Sequence, residues 1–98
     1  MPTYRLTNKA LEDLRSIARY TEKNWGREQR NKYLSKLDAS IQLIVDEPQL
    51  GRACDEIRKG YRKHHVGRHL IFYRQTTSHI EIIRILHESM DVDRHLQS

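Results

Sequence analysis

His87 and Glu88 stand side by side near the C-terminus, and with Arg68 and Arg84 they contain the ingredients of acid–base chemistry on a phosphate. Cleavage of RNA through its 2′-hydroxyl needs a base, an acid and cations around the phosphorane, roles that His, Glu and Arg can fill. Adjacent residues on a strand face opposite ways, so the set is loose. Arg84 also has a structural reading. It sits between Ile82 and Leu86 on an apolar face, where an uncompensated charge is costly. Pairing with Glu88 or Asp91 is therefore the favoured expectation for Arg84.

A basic ribbon precedes that pair. Between Ile57 and Arg74 there are six Lys or Arg residues, Arg58, Lys59, Arg62, Lys63, Arg68 and Arg74, and no Asp or Glu. Arginine forks suit phosphates and carboxylates, and Tyr61, Phe72 and Tyr73 are candidates to stack on bases. The plainer reading sends half of these charges into solvent by strand alternation. The candidate partner-binding set is the ribbon together with His87 and Met90. His64, His65 and His69 lie among the cations without Cys or Asp company or metal-site spacing, so no metal and no cofactor is expected.

Composition bounds the partners. The chain has 98 residues, is 37% hydrophobic and 32% charged, and carries a net charge of +5. That length suits one domain over residues 1–98 with a modest core. The charge favours an acidic partner: nucleic acid, an acidic peptide or an acidic protein surface. The single cysteine, Cys54, excludes an intrachain disulfide and fits a reducing compartment. Asp55 and Glu56 beside it would raise its pKa, so it reads as structural. No stretch has signal-peptide or transmembrane length, and a cytoplasmic protein without membrane contact is expected.

The elements that must position these residues follow from spacing. Thr3 to Leu6 alternates as a short strand. Thr7 or Asn8 caps a helix whose apolar positions are Leu11, Leu14, Ile17, Ala18 and Trp25, and Gly26 stops it. A second helix, about Arg27 to Asp46, carries Tyr33, Leu34, Leu37, Ile41, Ile44 and Val45 on one stripe and ends before Pro48. So short a turn between two amphipathic helices makes them antiparallel. Trp25 and Tyr33 are assigned to the core, with no ligand. After the loop Pro48–Gly51 come three strands, about Ile57 to Val66, Leu70 to Gln75 and Ile80 to His87, joined as a meander. The last is apolar on both faces, which makes it central and pairs it with the first strand. Leu14, Ile17, Leu34, Leu37, Ile41, Phe72, Ile82 and Leu86 are expected to form one core. Asp91 to Ser98 form a helical turn or fray.

Taken in order, Pro48-Gln49-Leu50-Gly51-Arg52, Cys54 to Lys63, Gly67 to Arg74 and Arg84 to Leu96 resemble the ParE toxins of the RelE/ParE superfamily. The ending Arg84-Ile85-Leu86-His87-Glu88-Ser89-Met90-Asp91 is the most specific part, and the similarity covers essentially the whole chain. The resemblance implies an α+β fold in which two antiparallel N-terminal helices pack on a small, mainly antiparallel sheet, in the order β-α-α-β-β-β. It implies a bacterial toxin of a type II toxin–antitoxin module that inhibits DNA gyrase without being an enzyme. A ParD-like antitoxin would neutralise it in a hetero-oligomer, laying a helix and an extended stretch across the chain and meeting the ribbon around Arg58 to Arg74. Direct nucleic-acid contact would come only through the antitoxin. The alternative is a ribosome-dependent mRNA endonuclease of the RelE type using Arg68, Arg84, His87 and Glu88, although His87 stands where those nucleases tend to place a catalytic Tyr. A third possibility is an inactive member kept for complex formation or operon control.

Overall fold

Thr7 joins the first strand to the first helix and ties both to the end of the chain. Its Oγ1 accepts the Ala10 amide at 3.0 Å, capping the helix, and donates to the Ile83 carbonyl at 2.7 Å. In the computed structural model, which describes residues 3–96, the first strand β1 is Thr3–Leu6 and the helix α1 is Asn8–Trp25. The second helix, α2, is Arg27–Asp46. Gly26 reverses the chain between them at φ 93°, donating its amide to the Glu22 carbonyl at 2.9 Å. The α2 stripe buries Leu37, Ile41, Ile44 and Val45 as its spacing predicts. Trp25 corrects the reading of α1. It shares the stripe by spacing, but the chain turns back one residue later, and it is left 71% exposed.

Four strands follow where three are expected: β2 Arg52–Ala53, β3 Tyr61–Val66, β4 His69–Gln75 and β5 His79–His87. The short helix α3 is Val92–Leu96, so part of the C-terminal turn forms, while Gln97 and Ser98 lie outside the described residues. Ile57 to Gly60 are not strand. The Ile57 amide donates to the Cys54 carbonyl and Gly60 to Asp55 Oδ1, both at 2.9 Å, folding this stretch into turns. The freed backbone before it supplies the edge strand, with Arg52 opposite Lys63. The sheet order is β1-β5-β4-β3-β2, with β1 parallel to β5 and the other pairs antiparallel. Strand β5 is thus inside the sheet, as its two apolar faces require.

One irregularity reorganises the core. Phe72 pairs with Arg84 but Tyr73 pairs with Ile82, so Ile83 is an extra residue on β5 and alternation slips there. Ile80, Ile82 and Ile85 therefore pack together with Leu37, Ile41, Ile44, Ile71 and Tyr73. Phe72 and Leu86 leave the expected single core. They form a second cluster with Cys54 and Leu96, against Ile57, Tyr61, Leu70, Ile83 and Val92. Among the described residues no helix is long and apolar enough to cross a membrane.

Candidate functional site

Register decides which candidate side chains meet. Beyond the bulge, Arg84 pairs with Phe72 and His87 with His69, an odd separation that puts Arg84 and His87 on opposite faces of β5. Arg84 binds neither Glu88 nor Asp91. Its Nε and Nη2 donate to the two carboxylate oxygens of Asp13 on α1 at 2.8 and 2.9 Å. Asp13 Oδ2 also accepts the Ile85 amide at 2.9 Å, and Arg84 Nη1 donates to the His95 carbonyl at 3.3 Å. Both side chains are only about 15% exposed. The hydrogen bond to Asp13 holds the guanidinium charged, its pKa raised above the ordinary Arg value. Arg84 is thus a clamp between α1, β5 and α3, withdrawn from the phosphate-binding role. Asp13 is 71 residues away in sequence, and nothing local pointed to it.

His87 lies at the β3–β4 turn with partners the spacing did not reveal. The turn is the two residues Gly67 and Arg68, with Gly67 at φ 56°. The Tyr33 ring packs against it so closely that a Cβ at Gly67 would lie 2.8 Å from the ring. Tyr33 Oη accepts the Arg68 amide at 3.2 Å and lies 2.6 Å from His69 Nδ1. The hydroxyl proton has two acceptors in reach, that nitrogen and, farther away at 3.4 Å, the Val66 carbonyl. Burial first, and the neighbouring His87 second, push the His69 pKa down to about 4. Burial also raises the Tyr33 hydroxyl. The His69 and His87 rings meet edge to face at 5.3 Å. Tyr33, assigned only to the core, is the residue that organises this cluster.

His87 Nδ1 accepts the Ser89 amide at 3.1 Å and lies 2.7 Å from Ser89 Oγ. With Nδ1 occupied as an acceptor, the hydrogen-bond pattern assigns the neutral ring's proton to Nε2, which can donate but not abstract. Glu88 is engaged elsewhere: His65 Nε2 is 3.0 Å from Oε2, and Arg68 Nη1, on a side chain 78% exposed, is 4.0 Å from Oε1. His64 pairs with Ile71 and His65 with Leu70, so these two rings face opposite sides of the sheet. The expected quartet Arg68, Arg84, His87 and Glu88 is therefore broken by Arg84. The structure instead builds two sets at the β3–β4 turn: Tyr33, His69, His87 and Ser89, and beside them Arg68 and Glu88 with His65, which lies on the face opposite His69 and His87.

The ribbon divides as well. Arg62 donates to the Gly51 carbonyl at 2.6 Å, and Arg74 to Glu81 at 2.7 Å. Arg58, Lys59 and Lys63 form no ion pair with any described carboxylate. Arg58 and Lys59 are exposed and Lys63 is half-buried. Phe72 and Tyr73 are fully buried and cannot stack on a base. Tyr73 instead donates to the Pro48 carbonyl and accepts the Gly51 amide, closing the loop before β2. Met90 is exposed just beyond the cluster, its amide donating to the His87 carbonyl.

A third surface lay outside the expected set. A groove of about 330 Å³ opens between β1 and the two helices, lined by Tyr4, Leu6, Leu14, Ala18, Leu34, Leu37 and Ile41 with Arg15 and Asp38. Strand β1 is the last in the sheet order, so its outer edge is unpaired beside this groove. The groove is apolar where the ribbon is cationic. Leu14, Leu34, Leu37 and Ile41 carry the spacing of a core stripe, and spacing alone does not distinguish a filled core from an open groove.

The chain is similar to known proteins over nearly its whole length. Residues 4–92 match the family described as the ParE toxin of the type II toxin–antitoxin system parDE. The chain is 42% identical over 96 residues to Toxin ParE1 of Caulobacter vibrioides, covering 98% of this chain and 99% of that one. It is 45% identical over 94 residues to Toxin ParE1 of Mycobacterium tuberculosis, covering 95% and 96% of the two chains. Among solved structures it resembles a chain of the chromosomal ParDE system from P. aeruginosa, at TM-score 0.75 and 20% identity, covering 89% of this chain and 96% of that one. A chain of the E. coli DinJ-YafQ toxin–antitoxin complex shares the fold at TM-score 0.63 and 16% identity, covering 90% and 93%.

Proposed function

This chain belongs to the ParE toxin family of type II toxin–antitoxin systems, and from that premise we propose that it arrests growth by binding DNA gyrase in the cytoplasm. It acts there as one inhibitory domain rather than a catalyst. The observation that carries this over the nuclease reading is the state of His87. Ser89 engages His87 Nδ1 through both its amide and its hydroxyl, so that nitrogen is taken up and is not open to serve as the general base. Arg84, the proposed phosphate cation, is engaged by Asp13 on the opposite face. The test uses purified protein in a gyrase supercoiling reaction without ribosomes. Inhibition or trapped cleaved DNA supports the reading. Ribosome-dependent cuts in mRNA that vanish with His87→Ala, with gyrase unaffected, would replace it by the nuclease.

Neutralisation by a ParD-like antitoxin is the second part of the proposal, supported by the family and by the ParDE system and DinJ-YafQ complex whose folds are shared. The groove suits the apolar face of an amphipathic helix, and Arg58, Lys59 and Lys63 suit an acidic extended stretch. A segment that orders only on contact can cover both.

A further inference from the structure

The helices cover one face of the sheet, and the strand register assigns the side chains of the other. Arg5 on β1 is opposite Glu81 on β5, Glu81 opposite Arg74 on β4, and Arg74 opposite Tyr61 on β3. Residues directly opposite share a face, so these four form one row across four strands. Two residues along β3 on the same side is Lys63, which is opposite Arg52 on β2. Tyr4, Leu6, Ile82 and Tyr73 alternate with this row and pack in the core under the helices. The row therefore lies on the outer face. Glu81 is the only acid in any of the five strands, and Arg74 holds its carboxylate at 2.7 Å. Arg5, Arg52 and Lys63 pair with no described carboxylate. The turns after Cys54 add Arg58 and Lys59 but also Asp55 and Glu56, so the excess charge belongs to the strands. No apolar centre accompanies it. The exposed large hydrophobic side chains described are on helices or in loops, while Phe72 and Leu86 on this face are buried against Leu96 and Cys54.

We propose that this outer face of the sheet binds the phosphate backbone of duplex DNA, with Arg5, Arg52 and Lys63 as its phosphate contacts. An acidic protein would need aromatic or aliphatic anchors at the centre of the contact, which the face lacks. Contacts to nucleic acid are instead polar and strongly positive. Neighbouring strands are roughly 4.8 Å apart, so the cations from β1 to β2 span about 19 Å, the axial length of about five to six base pairs. Contacts of this kind position the duplex without reading its sequence. The proposal departs from the family resemblance, which puts nucleic-acid contact on the antitoxin alone. It rests on the gyrase reading only in the choice of DNA over RNA. Within that reading, the toxin holds the DNA on which gyrase is acting.

The test is fluorescence anisotropy of a labelled duplex of about 20 base pairs with the purified full chain, between about 50 and 150 mM KCl, without gyrase or ribosomes. Each phosphate contact contributes about 0.9 to the slope of log affinity against log salt. Three contacts therefore predict a slope of about −2.7 and an affinity loss of about 20-fold across that range. Arg5→Gln with Arg52→Gln should reduce the slope by about 1.8, and adding Lys63→Gln by about 0.9 more. Arg19→Gln with Arg27→Gln removes two exposed cations from the helices and should leave the slope unchanged. Circular dichroism checks each variant, and the arginine pair decides alone if Lys63→Gln unfolds. Absence of binding at the lowest salt overturns the site. So does a slope that the helical pair lowers as much as the sheet pair, which would mark attraction to net charge. Tighter binding of single-stranded RNA of equal length would overturn the choice of DNA. Supercoiling inhibition is measured separately, so a parent inert toward gyrase sinks that reading and leaves the duplex site standing.

Discussion

Burial and a like neighbour together decide the charge of an imidazole. Tyr33 Oη accepts the Arg68 amide and has two acceptors within reach of its proton, His69 Nδ1 at 2.6 Å and the Val66 carbonyl at 3.4 Å, and burial beside His87 lowers the His69 pKa to about 4. Glu88 and Asp13 pull weakly the other way. The sign for stability follows directly. Between the ordinary value of 6.5 and about 4, the unfolded chain binds a proton at His69 that the folded chain refuses. This contribution is complete above pH 6.5 and is lost progressively as the pH falls toward 4. Melting temperatures of the parent should drop faster over that window than those of His69→Gln. Parallel curves would remove His69 from the acid sensitivity. The neighbouring ring can be checked independently, since nitrogen NMR of His87 should show the proton on Nε2 at neutral pH.

At the scale of elements, the Asp13–Arg84 pair joins α1 to β5 and, through the His95 carbonyl, to α3. Removing one member of a buried pair leaves the other charge uncompensated, at a typical cost of ~3–5 kcal/mol. Asp13→Ala and Arg84→Ala should therefore both lower stability by that order in urea melts. An Arg84→Ala protein with parental stability but no toxicity would return Arg84 to the active surface. The two clusters give a finer expectation. Leu37→Ala and Leu86→Ala should each cost ~2–5 kcal/mol. Hydrogen exchange should distinguish them, with Leu86→Ala releasing α3 and the turns after Cys54 first, and Leu37→Ala loosening the hairpin.

Why one part was legible in the sequence and the other was not is visible in these same elements. The α2 stripe, Gly26, the β3–β4 turn and the central place of β5 follow from local patterns, and they appear where spacing puts them, whereas the α1 stripe fails at Leu11 and Trp25, which are exposed. The bulge at Ile83 is not local. An unbroken alternation from Ile80 to His87 assigns Leu86 to the face of Ile82, and only the pairing with β4 reveals the slipped residue. Strand β2 is two residues long, below what alternation can signal. Of the site, the basic ribbon and His87 were readable by type. The partners Asp13, Tyr33 and Ser89 set what those residues can do, and two of them lie dozens of positions away.

For the molecule as a whole, the groove and the free cations sit toward opposite edges of a body 38 × 33 × 21 Å in extent. A helix of twelve residues spans about 18 Å, and ten extended residues span roughly 33 Å. An antitoxin segment of some twenty to twenty-five residues can therefore reach from the groove beside β1 to the ribbon beyond β3. Its two halves should then leave different kinetic traces. Arg62 is committed to the Gly51 carbonyl, so the charges to reverse are Lys59 and Lys63. Exposed or half-exposed cations act mainly by steering, so Lys59→Glu with Lys63→Glu should slow association and flatten its salt dependence, with dissociation little changed. The groove is a short-range contact. Ala18→Arg, which fills it from α1, should speed dissociation about tenfold or more while association remains within a few-fold of the parent. Stopped-flow mixing of labelled antitoxin at two salt concentrations separates the two effects. An association rate indifferent to salt and to both lysines would take the antitoxin off the ribbon, and an unchanged dissociation rate with Ala18→Arg would take it out of the groove.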